Sequence, residues 1–266
     1  MEYPSNYADL AARIELAALS PSSSSANVAL TRIPVTQLGF DLLQLDITPA
    51  QPSIARIGLF AGTHGDEPAG VAALLEFIEQ RLWHSYPRLA FRVFPCLNPT
   101  GFDLRTRENA AGIDMNRQFS RDDTPEVRAV RASIKDVMFD VTIDAHEDPE
   151  ELGYYMYAHF ENHAWMASIV DAVSAFGPIN VKPIVDDQSV VNGVITFAND
   201  KEEDAKLHEF MQHDEWPLPL FLYSVGSRFS MTTETPGQIN LDIRVKMQHA
   251  ARDRLLQLLT TARADL

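Results

Sequence analysis

The chain has 266 residues, 45% of them hydrophobic, which is enough to build the core of one large domain or two small ones. Acidic residues outnumber basic ones by 37 to 22, and the formal charge of −15 disfavours nonspecific binding to nucleic acids or anionic membranes. The single cysteine, Cys96, excludes an internal disulfide framework and predicts that the protein functions in a reducing compartment. Within the fold, we expect the Cys96 side chain to be buried.

The N-terminal region predicts a helix and not a targeting signal. The first 20 residues lack the basic segment and the uninterrupted apolar run of a secretory signal. No apolar run approaches the roughly 20 residues that cross a bilayer. Residues 6–19 have helical periodicity after Asn6, a capping residue, and the serine-rich stretch 20–27 then predicts a loop. We therefore expect a soluble, cytoplasmic protein.

Strands and helices alternate through the rest of the chain. Thr124-Pro125-Glu126 is a strong helix start, with a capping hydroxyl, a proline at the first helical position and an acid in the first turn. Apolar runs predict strands at 38–47, 54–61, 89–96, 140–146, 154–160 and 228–237. Helical patterns lie at 67–83, from 125 onward, at 162–177 and from Asn240 to about 263, and 180–222 is too irregular to assign. This alternation, without a repeat or a clear linker, predicts one α/β layered domain over 1–266.

A histidine and a glutamate follow the predicted strand 54–61 in the sequence AGTHGDEPAG. His64 comes just after the strand and Glu67 starts the next helix, so both side chains emerge where open α/β sheets place their sites. Converging nitrogen and oxygen donors suit a borderline divalent cation such as zinc. A polar turn, in which His64 and Asp66 bond to backbone groups and Glu67 interacts with the helix N-terminus, explains the same residues about as well.

His146, in VTIDAHEDPE, is the best candidate for a third ligand because it also ends an apolar strand. Two histidines and one glutamate leave one coordination position open for water, the usual arrangement of a catalytic zinc. Asp144 lies two residues earlier on the same strand face and is able to reach the same site. A cap or a loop contact is an equally good explanation of Asp144.

Two further polar features suggest catalysis. The sequence IDMNRQF sets Asn116 and Arg117 between hydrophobic residues, which favours a partly buried pocket over a solvated loop. A guanidinium beside an amide suits capture of a planar carboxylate. Glu234, late in an apolar strand and just before Pro-Gly, is a candidate for the base that takes a proton from a metal-activated water. Its alternative is an ordinary surface glutamate.

Taken in order, His64-x-x-Glu67, NPTGF, GIDMNRQF, His146 at a strand end and Glu234 before the last helix resemble the zinc carboxypeptidase superfamily. That superfamily includes the metallocarboxypeptidases and the succinylglutamate desuccinylase/aspartoacylase group. The resemblance implies a three-layer α/β/α sandwich around a mixed, mostly parallel twisted sheet. It also implies one zinc ion held by His64, Glu67 and His146, with Glu234 as general base and acid.

The same resemblance assigns roles in the polar loop. Asp114 would orient His64, Asn116 and Arg117 would hold the free carboxylate of the substrate, and Arg107 would polarise the scissile carbonyl. Arg105 is a rival to Arg107, because the loop spacing differs among branches. The acids after His146 leave open a cationic substrate group or a second metal at Glu147 or Asp148. Candidates for the mobile tyrosine of carboxypeptidases are Tyr154, Tyr155, Tyr157 and Tyr223.

The branch within the superfamily is the remaining question. The turn GTHGDEPAG resembles the deacylase branch, whereas the single helix after Glu234 and the long interval before it favour a peptidase. We expect a zinc-dependent hydrolase that cleaves an amide bond next to a free carboxylate, of the carboxypeptidase-like metallopeptidase kind. The first alternative is an N-acyl amino acid deacylase. The second is a catalytically silent metal- or peptide-binding module, against which the retention of the base and of all three candidate ligands argues.

Overall fold

The computed structural model of the chain describes residues 2–20, 26–35, 39–159, 162–196, 212–227 and 229–262. The helices are α1 (Tyr7–Leu19), α2 (Pro68–Glu79), α3 (Pro99–Leu104), α4 (Pro125–Ile134), α5 (His163–Ser174), α6 (Leu218–Ser224) and α7 (Leu241–Ala262). The strands are β1 (Ala26–Val35), β2 (Phe40–Pro49), β3 (Ala55–Ala61), β4 (Leu89–Phe94), β5 (Val141–Asp148), β6 (Tyr155–His159), β7 (Ile184–Val185), β8 (Gln188–Ser189), β9 (Val194–Thr196) and β10 (Ser230–Pro236). Most of the predicted serine-rich loop lies outside the described residues.

An eight-stranded sheet runs in the order β1-β2-β4-β3-β5-β10-β6-β9, and β7 and β8 form a separate hairpin. The central strands β4, β3, β5 and β10 are parallel to one another. Antiparallel pairs flank them, with β2 against β4 on one side and β6 against β10 on the other. The carboxyl ends of β3, β5 and β10 therefore meet at one edge of the sheet.

Helices cover both faces of the sheet and bury one large hydrophobic core on each face. The larger core packs one face against α1, α2, α5 and α7, and the smaller core packs the other face against α4 and α6. Successive residues of a strand point to opposite faces, so Leu59 belongs to the larger core and Phe60 to the smaller one. The predicted three-layer α/β/α architecture around a mixed sheet is confirmed. Within the described residues, no helix is both long and apolar enough to span a bilayer.

Most predicted elements are confirmed to within a few residues, and the exceptions have physical causes. Asn6 caps α1 by accepting from the Asp9 backbone N–H at 2.9 Å. The Thr124 hydroxyl, in contrast, makes no capping bond and is buried without a hydrogen-bond partner in the described residues. No strand was predicted at 26–35, where β1 lies. This strand is at the sheet edge, and it exposes too many alternate residues to give an apolar run.

Glu126 is a buried carboxyl group that contacts Asn109 of the polar loop. The side chain is fully buried at the start of α4, and the Asn109 amide donates to both of its carboxylate oxygens, at 3.3 and 3.4 Å. Burial raises the pKa of the Glu126 carboxyl above its ordinary value. The ionised form therefore destabilises the fold, and this penalty is absent below the unfolded-state pKa and complete above the folded-state pKa.

We expect Glu126→Gln, which keeps an acceptor for Asn109 but does not ionise, to raise the melting temperature at pH 8 by on the order of 2 °C. Near pH 4 the wild-type carboxyl is largely protonated, and the difference should vanish. Thermal unfolding followed by circular dichroism at both pH values measures this. An equal shift at pH 4 and pH 8 would contradict the role of ionisation.

Candidate metal centre

Adjacent parallel strands bring His64, Glu67 and His146 together. His64 follows β3, Glu67 directly precedes α2, and His146 lies near the end of β5, the neighbour of β3. All three side chains are buried, and one ligand atom from each lies within 4.8 Å of the others. Gly65 makes the turn between the first two, because a Cβ there would lie 1.8 Å from the backbone carbonyl carbon of Gly101.

Both imidazole rings face the Glu67 carboxylate with the same nitrogen. His64 Nδ1 lies 2.5 Å from Oε1 of Glu67, and His146 Nδ1 lies 2.9 Å from Oε2. The other nitrogen of each ring contacts a carboxylate. His64 Nε2 lies 3.2 Å from Asp114 Oδ1, and His146 Nε2 lies 3.0 Å from Asp144 Oδ2. A carboxylate behind each ring fixes the tautomer that leaves Nδ1 free to bind a cation. This donor set therefore fits a zinc ion.

The electrostatics of the cluster favour positive charge. Burial lowers the pKa of His146, but the carboxylates of Asp144 and Glu67 outweigh burial and hold that pKa well above its ordinary value. Burial would likewise raise the pKa of Glu67, yet the two histidines beside it lower this pKa to about 2. Glu67 therefore stays ionised, and the centre between the three side chains attracts a cation.

Asp144 was open to two interpretations from sequence, and its position in the structure is now clear. It lies behind His146, where one carboxylate oxygen contacts the imidazole Nε2. The other oxygen, Oδ1, is buried without a hydrogen-bond partner in the described residues. Asp144 is thus an orienting contact for His146, as Asp114 is for His64.

Glu234 lies beside His146 on the neighbouring strand. The two residues are directly paired in the parallel ladder of β10 and β5, so their side chains project from the same face of the sheet. Glu234 is only partly exposed. Burial and the nearby carboxylates of Glu67, Asp148 and Asp144 raise its pKa well above the ordinary value, against the opposing effect of His146. This carboxyl therefore keeps its proton to a higher pH than an exposed glutamate does.

Of the two candidate arginines in the polar loop, only Arg107 lies near the His64, Glu67 and His146 cluster. Arg107 lies at the cluster, with its guanidinium 3.1 Å from Asp114 Oδ2 and 3.7 Å from Glu67 Oε1. Arg105 instead lies over the rings of Tyr3 and Phe102 and donates to the N-terminal segment. The structure thus places Arg107, and not Arg105, beside the candidate metal ligands.

The two arginines make a matched pair of variants. We expect Arg107→Ala to lower kcat by about 10²- to 10³-fold, because it removes a cationic donor next to the cluster. Arg105→Ala should leave kcat unchanged and lower stability by about 1 kcal/mol through its lost stacking and hydrogen bonds. Steady-state kinetics and thermal melts of both proteins separate the effects. The opposite pattern, with loss of turnover only in Arg105→Ala, would reverse the assignment.

Comparison with known proteins bears on the family. The sequence profile of the succinylglutamate desuccinylase/aspartoacylase catalytic domain matches residues 53–183. Murein peptide amidase A of Escherichia coli (strain K12) is 32% identical over 47% of this chain and 53% of its own length. Carboxypeptidase SOL1 of Arabidopsis thaliana is 29% identical over 41% of this chain and 26% of its own length. The chain thus matches about half of one curated relative and about a quarter of the other.

Solved structures share the fold over nearly all of the chain. A candidate metallopeptidase from Shewanella amazonensis SB2B superposes with a TM-score of 0.75 at 24% identity, covering 96% of this chain and 94% of that one. A metallo-carboxypeptidase from Burkholderia cenocepacia superposes with a TM-score of 0.66 at 18% identity, covering 96% and 69%. The sequence matches and the shared fold together support the zinc carboxypeptidase-like superfamily for this chain.

Asn116 and Arg117, predicted from the superfamily pattern to bind a carboxylate, sit on the loop that carries Asp114. Asn116 Oδ1 accepts from the Leu218 backbone N–H at 3.0 Å, so it also anchors the start of α6. Arg117 is exposed, and its guanidinium donates to the Asn116 carbonyl at 3.0 Å. An exposed guanidinium remains accessible to a substrate, and carboxylate binding by this pair stays a prediction.

A second metal at the acids after His146 finds no support in the geometry. Glu147 points to the opposite face, where its carboxylate accepts from the Ala69 backbone N–H and from Arg244. Asp148 accepts from the Tyr155 hydroxyl at 2.8 Å and from the backbone of the following turn. The two carboxylates therefore do not converge. Among the described residues, the His64, Glu67 and His146 group is the one able to hold a metal.

The candidate tyrosines of the superfamily pattern separate by position. Tyr155 is paired with Glu234 across β6 and β10, and Tyr157 lies two residues further on the same face. Their hydroxyls donate to Asp148 and Asp186, both at 2.8 Å. Tyr154 is buried in the larger core, and Tyr223 lies on α6. Tyr155 and Tyr157 are thus the two that line the face of Glu234.

Proposed function

We propose that this chain is a zinc-dependent hydrolase that cleaves an amide bond next to a free carboxylate, with peptides as its substrates. The observation that carries the proposal is the pairing of Glu234 with His146, which puts a carboxyl group beside the buried cluster of two histidines and a glutamate. This is the arrangement that a metal-assisted hydrolysis requires, with a cation site and an adjacent acid-base group. The similarity to the zinc carboxypeptidase-like superfamily supports the same reaction class.

His64, Glu67 and His146 would hold the zinc ion through Nδ1 of each imidazole and the Glu67 carboxylate. Zinc at such a site lowers the pKa of water to about 7 and polarises a carbonyl. Asp114 and Asp144 keep both rings in the orientation that presents Nδ1. These contacts restrict the rotation of the ligands before any metal arrives.

Glu234 would act first as a base and then as an acid. Its carboxylate accepts a proton as the water oxygen bonds to the amide carbon, and it returns a proton to the amine nitrogen as the C–N bond breaks. The raised pKa of Glu234 supports the second half of this cycle, because the carboxyl must hold a proton before donating it. Arg107, ordered by Asp114, would stabilise the negative charge that develops on the carbonyl oxygen.

Peptide substrates are supported by two curated relatives, a carboxypeptidase and a murein peptide amidase, which match different shares of this chain. Arg117, with Asn116 beside it, would bind the free carboxylate of the substrate, since an exposed guanidinium suits that ligand. We place the enzyme in the cytoplasm because its one cysteine is free and buried.

An N-acyl amino acid deacylase is the second candidate, and one observation favours it. The profile that matches residues 53–183 is that of the succinylglutamate desuccinylase/aspartoacylase catalytic domain. The metal ligands, Arg107 and the polar loop all lie inside this range. The chemistry at the metal would be the same, and only the group on the acyl side of the cleaved bond would differ.

A substrate screen of the zinc-loaded protein tests these alternatives. The protein is incubated with peptides that have a free C-terminal carboxylate, with the same peptides carrying an amidated C-terminus, and with N-acyl amino acids. The amines released in each reaction are quantified. We expect cleavage of the free peptides and none of the amidated ones. Activity confined to N-acyl amino acids would favour the deacylase. A protein that binds stoichiometric zinc but cleaves neither class would be a catalytically silent metal-binding module.

A further inference from the structure

A buried layer of polar side chains lies behind the candidate metal centre, on the face of the sheet that packs against α7. Side chains alternate along strands, so the neighbours of His146 and Glu234 point away from the site. These neighbours are Glu147 on β5 and Thr233 and Thr235 on β10, and all three are at most 4% exposed. Polar groups buried this deeply are costly unless they are fully hydrogen-bonded, so their partners are informative.

Gln248 of α7 forms hydrogen bonds to both β5 and β10. Its amide nitrogen donates to the His146 backbone carbonyl at 2.9 Å. Its amide oxygen accepts from the Thr233 hydroxyl at 2.6 Å. Gln248 is itself only 4% exposed. One side chain therefore links the backbone of a candidate metal ligand to the residue next to Glu234.

Arg244 makes a second link one helical turn earlier on α7. It is ion-paired with the Glu147 carboxylate, which also accepts from the Ala69 backbone N–H at 2.6 Å. The Glu147 backbone N–H in turn donates to Glu67 Oε2 at 3.1 Å. The start of α2, which carries Glu67, is thus tied through Glu147 to the same helix that holds His146.

The strand geometry explains why such support is needed. The ladder between β3 and β5 ends at the pair Ala61 and Ala145, one residue before His146. On that side the Glu147 backbone N–H therefore donates to the side chain of Glu67 and not to a strand. A shift of this short segment would change the distance between His146 and both Glu67 and Glu234.

We propose that Gln248 and Arg244 are positioning residues, which set the geometry of the metal ligands and of Glu234 from behind the sheet. The inference rests on the proposed metal centre. Neither side chain touches the face on which substrate would bind. Their effect is expected on zinc affinity in the first place, since hydrogen-bonding partners behind metal ligands typically change affinity by about 10- to 100-fold.

The test measures the zinc affinity of the apo protein by titration against a competing chelator. Gln248→Met keeps the approximate size of the side chain and removes both hydrogen bonds. We expect its zinc dissociation constant to rise by about 10- to 100-fold. Thr233→Val removes the hydroxyl that holds Gln248 and should weaken zinc binding in the same direction, whereas Thr233→Ser keeps the hydroxyl and should bind zinc as the wild type does.

A control separates positioning from general destabilisation. Leu255→Ala opens a cavity under the same helix and removes none of these hydrogen bonds, so it should lower the melting temperature and leave zinc affinity unchanged. If Leu255→Ala weakens zinc binding as much as Gln248→Met, the proposal is wrong. It is also wrong if Gln248→Met and Thr233→Val both bind zinc as the wild type does. If Gln248→Met does not fold, the zinc affinity of Thr233→Val alone tests the proposal. If the wild-type protein itself binds no zinc, the proposed zinc-dependent function is wrong, and not only the positioning role.

Discussion

Glu234→Gln is expected to lower kcat by about 10³- to 10⁴-fold while zinc stays bound, because the amide neither accepts the proton of the attacking water nor returns one to the leaving amine. The substitution keeps the shape of the side chain and its place beside His146 on β10. Zinc content is measured by elemental analysis on the same sample that is assayed. The melting temperature should stay the same or rise, because burial penalises the charge that the substitution removes.

A matched control comes from the acidic segment near the same edge of the sheet. Glu150 is exposed and follows β5 by two residues, so Glu150→Gln removes one negative charge without touching the proposed machinery. It should keep the wild-type kcat. Equal losses in both variants would mean that net charge near the cleft, and not proton transfer at Glu234, limits the reaction. Full activity in Glu234→Gln would assign the acid-base role to another residue.

The cluster of His64, Glu67 and His146 could be predicted from the sequence because these candidate ligands follow a local rule. His64 and His146 each end an apolar run, and parallel strands bring their carboxyl ends to one edge of a sheet. The contact between Asp114 and His64 was predicted from the resemblance and is present at 3.2 Å. Glu234 was predicted from its place in an apolar strand, and the ladder pairs it with His146.

Features without a local pattern were missed. Gln248 is 102 residues from its partner His146, and nothing around it distinguishes it from other polar residues on a long helix. The choice between Arg105 and Arg107 depends on a turn, since Arg105 adopts a left-handed conformation with φ of 57° that ends α3. In the described part of the irregular region 180–222 the elements are short, such as β9 and α6, and these strands are too brief for periodicity to reveal.

His146→Gln is expected to abolish zinc binding at micromolar concentrations, with a loss of affinity larger than the roughly 10- to 100-fold that removal of an outer hydrogen bond causes. An amide is a poor zinc ligand, but it still donates to Asp144 or Glu67, so the buried carboxylates keep a partner and the protein should fold. Zinc stabilises a protein in proportion to the logarithm of its concentration over the dissociation constant, about 2.7 kcal/mol at a hundredfold excess. The wild-type melting temperature should therefore rise on adding zinc to the apo protein, and that of His146→Gln should not.

His163→Gln is the control, because this histidine is exposed at the start of α5 and lies outside the cluster. It should retain wild-type zinc content and the same zinc-dependent rise in melting temperature. Since His64 and Glu67 remain in His146→Gln, residual weak binding would show that two ligands alone hold the ion loosely, and a chelator titration would measure it. Undiminished binding in His146→Gln would place the metal on other ligands, and the roles proposed for Glu234 and Arg107 would then lose their basis.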